Sequence, residues 1–596
     1  MMATIPDLFL HRVSQDPNEV FIWAQTPDAD DQFFLSDDQM TPGPEGWSAA
    51  TFEQIHKQVA GLARRLHSFG VGRGVPVAIL AQTSERWTAV DMAIQCLGGI
   101  TVGIYPTLLA DQVRYQLEHS EATILIVEDD AQAKRCLSFT DDLPDLQHVL
   151  SLHTALLVTQ ITPAMPDVDW LREQANQVQV EDVSTYIYTS GTTGDPKAVV
   201  LNHHNFTSII ESSRARLPLL PGDRTIIFLP MAHVLQRFTQ YRGLTDDAVG
   251  WFAPSIDALP EAIRISKPHV MATVPRMLEK IRATIEAQAA ERSHQALRVL
   301  EWAIQVGRVV NEKRWTQQRV GWRLVAQHRM ADRLVYSKIR AGLGGDLRLL
   351  ISGGAALDPE LATWFEAIGI AVREGWGLSE TTAPAAVNGT TDFRFGTVGK
   401  PLDGTEIILA EDGEIMVRGP GVFQGYLKDE DATSEAFSEE GFFKTGDLGV
   451  IEDGFIRIVG RKKEIIVTAG GKNIAPVPIE HALEGGLIGQ AVVVGDDRPY
   501  LCALLAPNIE ALQARATNEE WEGSLADWCT RAGVLTEVES QVVETNQQFA
   551  RFQTIKKWVF LREELSEQNG MLTPTLKLKR SVIHAHYSHE IEGLYT

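Results

Sequence analysis

Cysteine is scarce in this sequence: 596 residues hold four, Cys96, Cys136, Cys502 and Cys529, with no CxxC pair and no cysteine and histidine at metal-ligand spacing. Their scarcity excludes a disulfide framework and a structural zinc site and points to a reducing, cytoplasmic setting. Net positive charge is missing too. With 54 Lys and Arg against 78 Asp and Glu, the formal charge is −24, which excludes general nucleic-acid binding, since phosphate neutralisation needs a basic face. The opening MMATIPDLFLHRV lacks a basic stretch, an apolar core and a small-residue cleavage site, so no export or import signal is read. Long apolar runs are nearly absent. The one candidate, Met92 to Ala110, is uncharged over nineteen residues, but Gln95, the Gly98-Gly99 pair and Pro106 interrupt it, and it reads as a buried helix, turn and strand.

What is present is ample core material. At 44% hydrophobic and 22% charged residues, the chain should divide into two to four structural units. Short β-branched runs such as VPVAILA (75–81), TILIVED (123–129), STYIYTS (184–190) and LRLLISGG (347–354) alternate with helical patterns. Such alternation predicts an α/β fold with covered, largely parallel sheets. From Gly404 the texture changes to hairpins, with Asp412-Gly413 and Asp453-Gly454 as turn pairs. A β-rich subdomain is therefore expected over about 397–460. Residues 276–342 form a long polar helical stretch, with Leu297, Leu300 and Ile304 on one helical face, and read as an insertion. A fresh α+β pattern begins after Gly460, which places a domain boundary between 1–460 and 461–596.

The segment YTSGTTGDPKAVVL, Tyr188 to Leu201, concentrates glycine and hydroxyls. A Walker A loop places glycine before its lysine, a hydroxyl after it and a helix next. Here Pro196 precedes Lys197, Ala198 follows it, and AVVL is extended, so the loop joins strand to strand. It remains a phosphate grip: Thr189, Ser190, Thr192 and Thr193 offer hydroxyls, Gly191 and Gly194 permit close backbone approach, and Lys197 adds a point charge. By itself it is equally readable as a polar turn between strands.

The loop YTSGTTGDPK, followed in order by LPMAHV (229–234), GWGLSETT (375–382), KTGDLG (444–449), GRKKE (460–464) and LTPTLKLKR (572–580), resembles the adenylate-forming superfamily of acyl-CoA synthetases, peptide adenylation domains and luciferases. The resemblance implies a large N-terminal domain of layered α/β sheets with the β-rich subdomain, and a small mobile α+β C-terminal domain. It implies ATP, Mg2+ and CoA as the small molecules used. Trp376, between Gly375 and Gly377, falls at the adenine-stacking position, with Gly353, Gly354 and Ala355 on the other side of the base. Glu380 falls at the magnesium carboxylate, Thr381 at the hydroxyl facing the α-phosphate, Asp447 and Arg461 at the ribose, and His233 beside the carboxylate pocket. Lys577 matches the C-terminal lysine that reaches the carboxylate during adenylation, Lys463 the hinge, and Gly470 and Gly471 the face lining the pantetheine tunnel. The helical insertion, VTAGGKNIAP and the NGMLTPTLKLKR ending resemble bacterial long-chain fatty acyl-CoA synthetases. Asn202, Gln236, Trp376 and Leu576 depart from the commoner residues. The implied reaction activates a fatty acid to acyl-adenylate and then to acyl-CoA. The alternatives are an acyl-AMP ligase serving a carrier protein, a luciferase-type oxygenase, or an inactive adenylate-binding scaffold. A fatty substrate also implies peripheral contact with the inner face of a membrane; chain length and oligomeric state are not legible.

Overall fold

A computed structural model describes residues 3–25, 33, 40–189, 195–573 and 577–596. Two large sheets carry most of the chain. In one, strands Ala371–Trp376, Leu349–Ser352, Val270–Thr273, Arg224–Ile227, Val249–Phe252 and Val20–Gln25 run parallel in that order, with short antiparallel strands at both edges. In the other, Val183–Thr189, Ile100–Ile104, Pro76–Leu80, Ile124–Val127 and His148–Ser151 run parallel, and Lys197–Asn202 returns antiparallel beside Val183–Thr189. Covered on both faces, these strands tolerate unbroken apolar runs; Ile124 to Val127 are all fully buried. The uncharged segment folds as expected of it: helix Glu85–Cys96, a turn, then strand Ile100–Ile104, all inside the core.

Residues 406–461 form a four-stranded antiparallel sheet of two hairpins. The second turns at Asp453 and Gly454, both at positive φ (53° and 80°), which suits these residue types. Helices Pro275–Arg292 and His294–Trp315 pack on the first sheet through Leu300 and Ile304, with Leu297 half-buried beside them. Beyond residue 461, strands Ile488–Val494, Leu501–Pro507 and Ile555–Phe560 build a separate three-stranded sheet with its own core, including Leu483, Val493, Leu505 and Val538. Among the described residues no helix is long and apolar enough to cross a membrane.

The two large sheets are tied by a buried polar cluster. Arg237 donates to Asp91 at 2.9 Å and to Thr185 at 2.9 Å, while Tyr241 and Thr101 hydroxyls donate to the same carboxylate at 2.7 Å each. Arg237 and Asp91 side chains are each 1% exposed. Such a pair gains little against an apolar replacement but costs about 3–5 kcal/mol when one partner is removed. It therefore fixes helix Val234–Gly243, and with it the N-terminal end of that helix, where His233 stands.

Candidate active site

Ligands of open α/β sheets bind beyond the carboxyl ends of the parallel strands. The segments singled out by sequence gather there. His233 follows Arg224–Ile227, Gly353 to Ala355 follow Leu349–Ser352, and Gly377 to Thr382 follow Ala371–Trp376. Gly377 is required sterically, because a Cβ there would stand 1.7 Å from the Ala383 carbonyl oxygen. Just beyond, Thr382 and Ala383 are both left-handed, at φ 57° and 70°. Consecutive non-glycine residues in that region store strain of the kind found at functional turns.

Glu380 sits in the short 3-10 turn Ser379–Thr381. Its carboxylate accepts a hydrogen bond from the Tyr426 hydroxyl at 3.0 Å. Burial pushes its pKa up; its own backbone N–H, Tyr426, Arg461 and Lys577 oppose that rise. Thr381 faces inward: 1% exposed, its hydroxyl accepts from Leu378 N at 2.8 Å and donates to the Ala383 carbonyl at 3.0 Å. Ser379, in the same turn, is half-buried.

Asp447 and Arg461 are cross-strand partners in the hairpin sheet, and Arg461 Nε lies 2.8 Å from Asp447 Oδ1. The other oxygen, Oδ2, accepts from the Trp376 indole N–H at 2.8 Å. Each carboxylate oxygen keeps a further lone pair for a hydroxyl. Trp376 is 9% exposed and packs among Ala386, Val398, Ile415 and Ile456. Its indole thus serves to hold the Asp447 carboxylate.

Lys577 joins this group from the far end of the chain. Its ammonium lies close enough to Arg461, Asp447, Glu464, Glu380 and His233 to interact electrostatically with all five. Its backbone is pinned by reciprocal bonds with Thr573: N–H to Oγ1 at 3.0 Å, and carbonyl from the Thr573 N–H at 2.8 Å. The residue remains exposed to solvent. Crowding by protein, then Arg461, lowers its pKa against the pull of the three carboxylates. His233 is neutral for the same reasons, its pKa lowered to about 4 by burial and by Lys577. Its Nδ1 accepts from the Leu235 backbone N–H at 3.1 Å, which leaves the ring proton on Nε2.

Of the phosphate-loop residues, Ser190, Gly191, Thr192, Thr193 and Gly194 lie outside the described residues. Thr189 and Lys197 flank them on adjacent antiparallel strands, in register with each other. Lys197 Nζ is 3.3 Å from Asp429 Oδ2 and 5.0 Å above the Tyr426 ring. Tyr426 therefore touches the loop lysine with its face and Glu380 with its hydroxyl. Neither Tyr426 nor Asp429 was singled out by sequence; strand Gly425–Tyr426 pairing with Lys197–Asn202 brings them in. Gly470 and Gly471 stand at the exposed tip of the hairpin Ile466–Val467 and Asn473–Ile474. Lys463 is exposed between two anchored neighbours. Lys462 pairs with Asp412 at 2.5 Å and Glu414 at 2.9 Å, whereas Glu464 lies 3.6 Å from Arg580 of the C-terminal part. Elsewhere the two parts meet through Thr107 Oγ1, which donates to Glu567 at 2.6 Å, and through Lys280 and Glu510 at 3.4 Å.

No group of three or more His, Cys, Asp or Glu side chains suited to a metal occurs among the described residues. The lone Glu380 carboxylate fits magnesium shared with substrate phosphates, an ion that keeps most of its other ligands from water and phosphate.

Residues 23–427 match the family described as AMP-binding enzyme, and residues 463–596 match its C-terminal domain. The chain is 38% identical over 563 residues to Long-chain-fatty-acid–CoA ligase FadD15 of Mycobacterium tuberculosis, covering 92% of both chains. It is 30% identical to Long-chain-fatty-acid–CoA ligase ACSBG2 of Homo sapiens, covering 92% of this chain and 88% of that one. Among solved structures, the adenylation domain of a Mycobacterium chelonae carboxylate reductase superposes with a TM-score of 0.76 at 16% identity, covering all of this chain and 91% of that one. The anthranilate CoA ligase AuaEII in complex with anthranoyl-AMP gives 0.70 at 18%, covering 98% and 97%. These two show a shared fold.

Proposed function

The chain belongs to the AMP-binding enzyme family, and from that premise we propose that it is a long-chain fatty acid–CoA ligase that forms acyl-AMP and then acyl-CoA. The observation that carries the reading is the convergence of Lys577, Glu380, Asp447, Arg461 and His233 on one cleft from distant parts of the chain. In the first step a fatty carboxylate oxygen attacks the α-phosphorus of ATP, and the bond to the bridging oxygen breaks to release pyrophosphate. No base is needed, because the acid is already ionised at neutral pH. His233, neutral and carrying its proton on Nε2, donates toward that carboxylate and orients it. Lys577 places an ammonium where negative charge builds up, and fixed cations of this kind act on the transition state. Asp447 and Arg461 hold the ribose, with Trp376 setting the Asp447 carboxylate and bordering the adenine beside Gly353, Gly354 and Ala355. Lys197 and the hydroxyls of its loop hold the departing pyrophosphate. Glu380 would hold Mg2+, which when bound offsets phosphate charge. We assign the α-phosphate hydroxyl to Ser379 in place of Thr381, whose hydroxyl closes the turn.

In the second step the CoA thiol attacks the acyl carbon, the thiol proton passes to solvent and AMP leaves. Lys577 then blocks the thiol's path, so the C-terminal domain, 461–596, turns against the large domain, 1–460. Lys463 is our hinge: Lys462 is anchored to one domain and Glu464 to the other. The turn would carry Gly470 and Gly471 to the cleft. We place the enzyme in the cytoplasm, in peripheral contact with a membrane. Incubation with ATP, Mg2+ and a fatty-acid panel, with and without CoA, tests the reading. Fatty-acid-dependent pyrophosphate and a thioester only with CoA are expected; pyrophosphate without thioester would sink the ligase reading.

A further inference from the structure

In a chain of net charge −24, residues 313–340 contain eight basic residues and a single acidic one, Asp332. The segment is a nearly continuous helical rod: Trp322–Ala331, the π-helical turn Asp332–Tyr336, and Ser337–Gly342. Its inner side is firmly seated. Ala331, Val335 and Tyr336 are buried in the core of the first sheet's helical layer, and the Tyr336 hydroxyl donates to the Ala303 carbonyl. Its outer side is unusual. Trp322 is 76% exposed, Met330 51% and Leu334 46%. On the same rod stand Arg323, Arg329, Arg333 and Lys338, all exposed and, among the described residues, without an ion-pair partner. The Arg323 guanidinium lies 5.4 Å from the Trp322 ring.

We propose that this outer face docks on an anionic lipid bilayer. Unpaired cations attract a negatively charged headgroup layer, and they do so locally on a protein whose overall charge would be repelled. An indole, a thioether and a leucine at the same level are the side chains that enter the headgroup and acyl boundary. Arginine stems cover apolar surface while their heads remain at phosphate depth. Nucleic acid would be served by the cations but not by Met330 and Leu334. The benefit rests on the fatty-acid reading, since long-chain acids partition into bilayers and an enzyme seated there meets its substrate; the binding itself does not depend on that reading.

The test is sedimentation of the full-length protein with vesicles of phosphatidylcholine alone or with about 30% phosphatidylglycerol, at low and high salt. Binding to the anionic vesicles should exceed binding to neutral ones by roughly tenfold and fall with salt. Two triple variants, Trp322→Ala with Met330→Ala and Leu334→Ala, and Arg323→Gln with Arg329→Gln and Arg333→Gln, should each lose most of it. Their octanoyl-CoA formation in vesicle-free buffer should stay at the wild-type rate, which shows that they fold. The native cysteines are all buried, so Trp322→Cys can carry an environment-sensitive dye, whose emission should shift to the blue on anionic vesicles. Equal binding to both vesicles, retention by both variants, or capture by duplex DNA without capture by vesicles overturns the proposal. Vesicle binding without any fatty-acid activation would instead sink the function while leaving this surface intact.

Discussion

Two lysines approach the site from distant parts of the chain, and they are held in opposite ways. Lys197 is mounted on a sheet strand, paired with Asp429 at 3.3 Å and resting over Tyr426 at 5.0 Å. Lys577 is held through its backbone by reciprocal bonds with Thr573, and among the described residues its ammonium has no direct ion-pair partner. The first is restrained in place before any substrate arrives. The second belongs to the C-terminal part, which meets the rest of the molecule at contacts such as that of Thr107 with Glu567. Phosphates must be gripped in the first half-reaction, whereas the cation over the carboxylate must later make way for a thiol. A tethered lysine suits one task and a removable lysine the other.

The largest expected effect comes from removing the delivered cation. Lys577→Ala should slow adenylation by roughly 10²–10³-fold, the usual loss for one preorganised charge-stabilising group, while thioester formation from supplied acyl-adenylate changes little. Equal losses in both half-reactions, each measured in single turnover, would erase the contrast between the lysines. The same side chain sets a pH dependence. Only the ammonium acts, and crowding with Arg461 lowers its pKa, so adenylation should fall on the alkaline side earlier than an ordinary lysine would cause. Lys577→Arg should flatten that limb, because a guanidinium stays charged. On the acid side no step near 6.5 is expected from His233, whose pKa is lowered to about 4. In Lys577→Ala the imidazole should titrate higher, measurable by NMR, because one of the two causes of the lowering has gone.

Smaller effects are expected on the tethered side. Tyr426→Phe keeps the ring under Lys197 but strips the hydroxyl from Glu380. Apparent Mg2+ affinity, followed by ATP-dependent metal binding as well as by rate, should weaken about tenfold, the lower end for a group that orients a metal ligand. Asp429→Ala should do least, about threefold in KM for ATP, because the pair is half-exposed and such pairs contribute little. A larger effect of Asp429→Ala than of Tyr426→Phe would mean that the lysine's tether, not the Glu380 support, governs this side.

Much of this arrangement was legible in the sequence, and for physical reasons. Parallel strands covered on both faces leave apolar runs such as Ile124 to Val127, and hairpins leave Asp-Gly pairs at positive φ. Motif order singled out Glu380, Asp447 and Arg461, and the fold brings these three side chains near one another. What stayed hidden depends on direction in space. Linear order does not tell which residue of Ser379-Glu380-Thr381 is turned inward; the turn buries Thr381 and leaves Ser379 half-buried. Trp376 read as a partner for adenine alone, and its bond to Asp447, 71 residues away, requires the folded hairpin sheet. Tyr426 and Asp429 belong to none of the motifs read from the sequence, and the pairing of Gly425–Tyr426 with Lys197–Asn202 brings them beside Lys197. Ser190 to Gly194, which the sequence made most conspicuous, lie outside the described residues.

The most direct test follows pyrophosphate and thioester together, in one reaction of the purified protein with ATP, Mg2+ and palmitate, with CoA added after pyrophosphate release has levelled off. A burst of pyrophosphate near one equivalent per enzyme, then palmitoyl-CoA and AMP on adding CoA, is the predicted result. Pyrophosphate that never forms, or that forms without palmitoyl-CoA following, would contradict it.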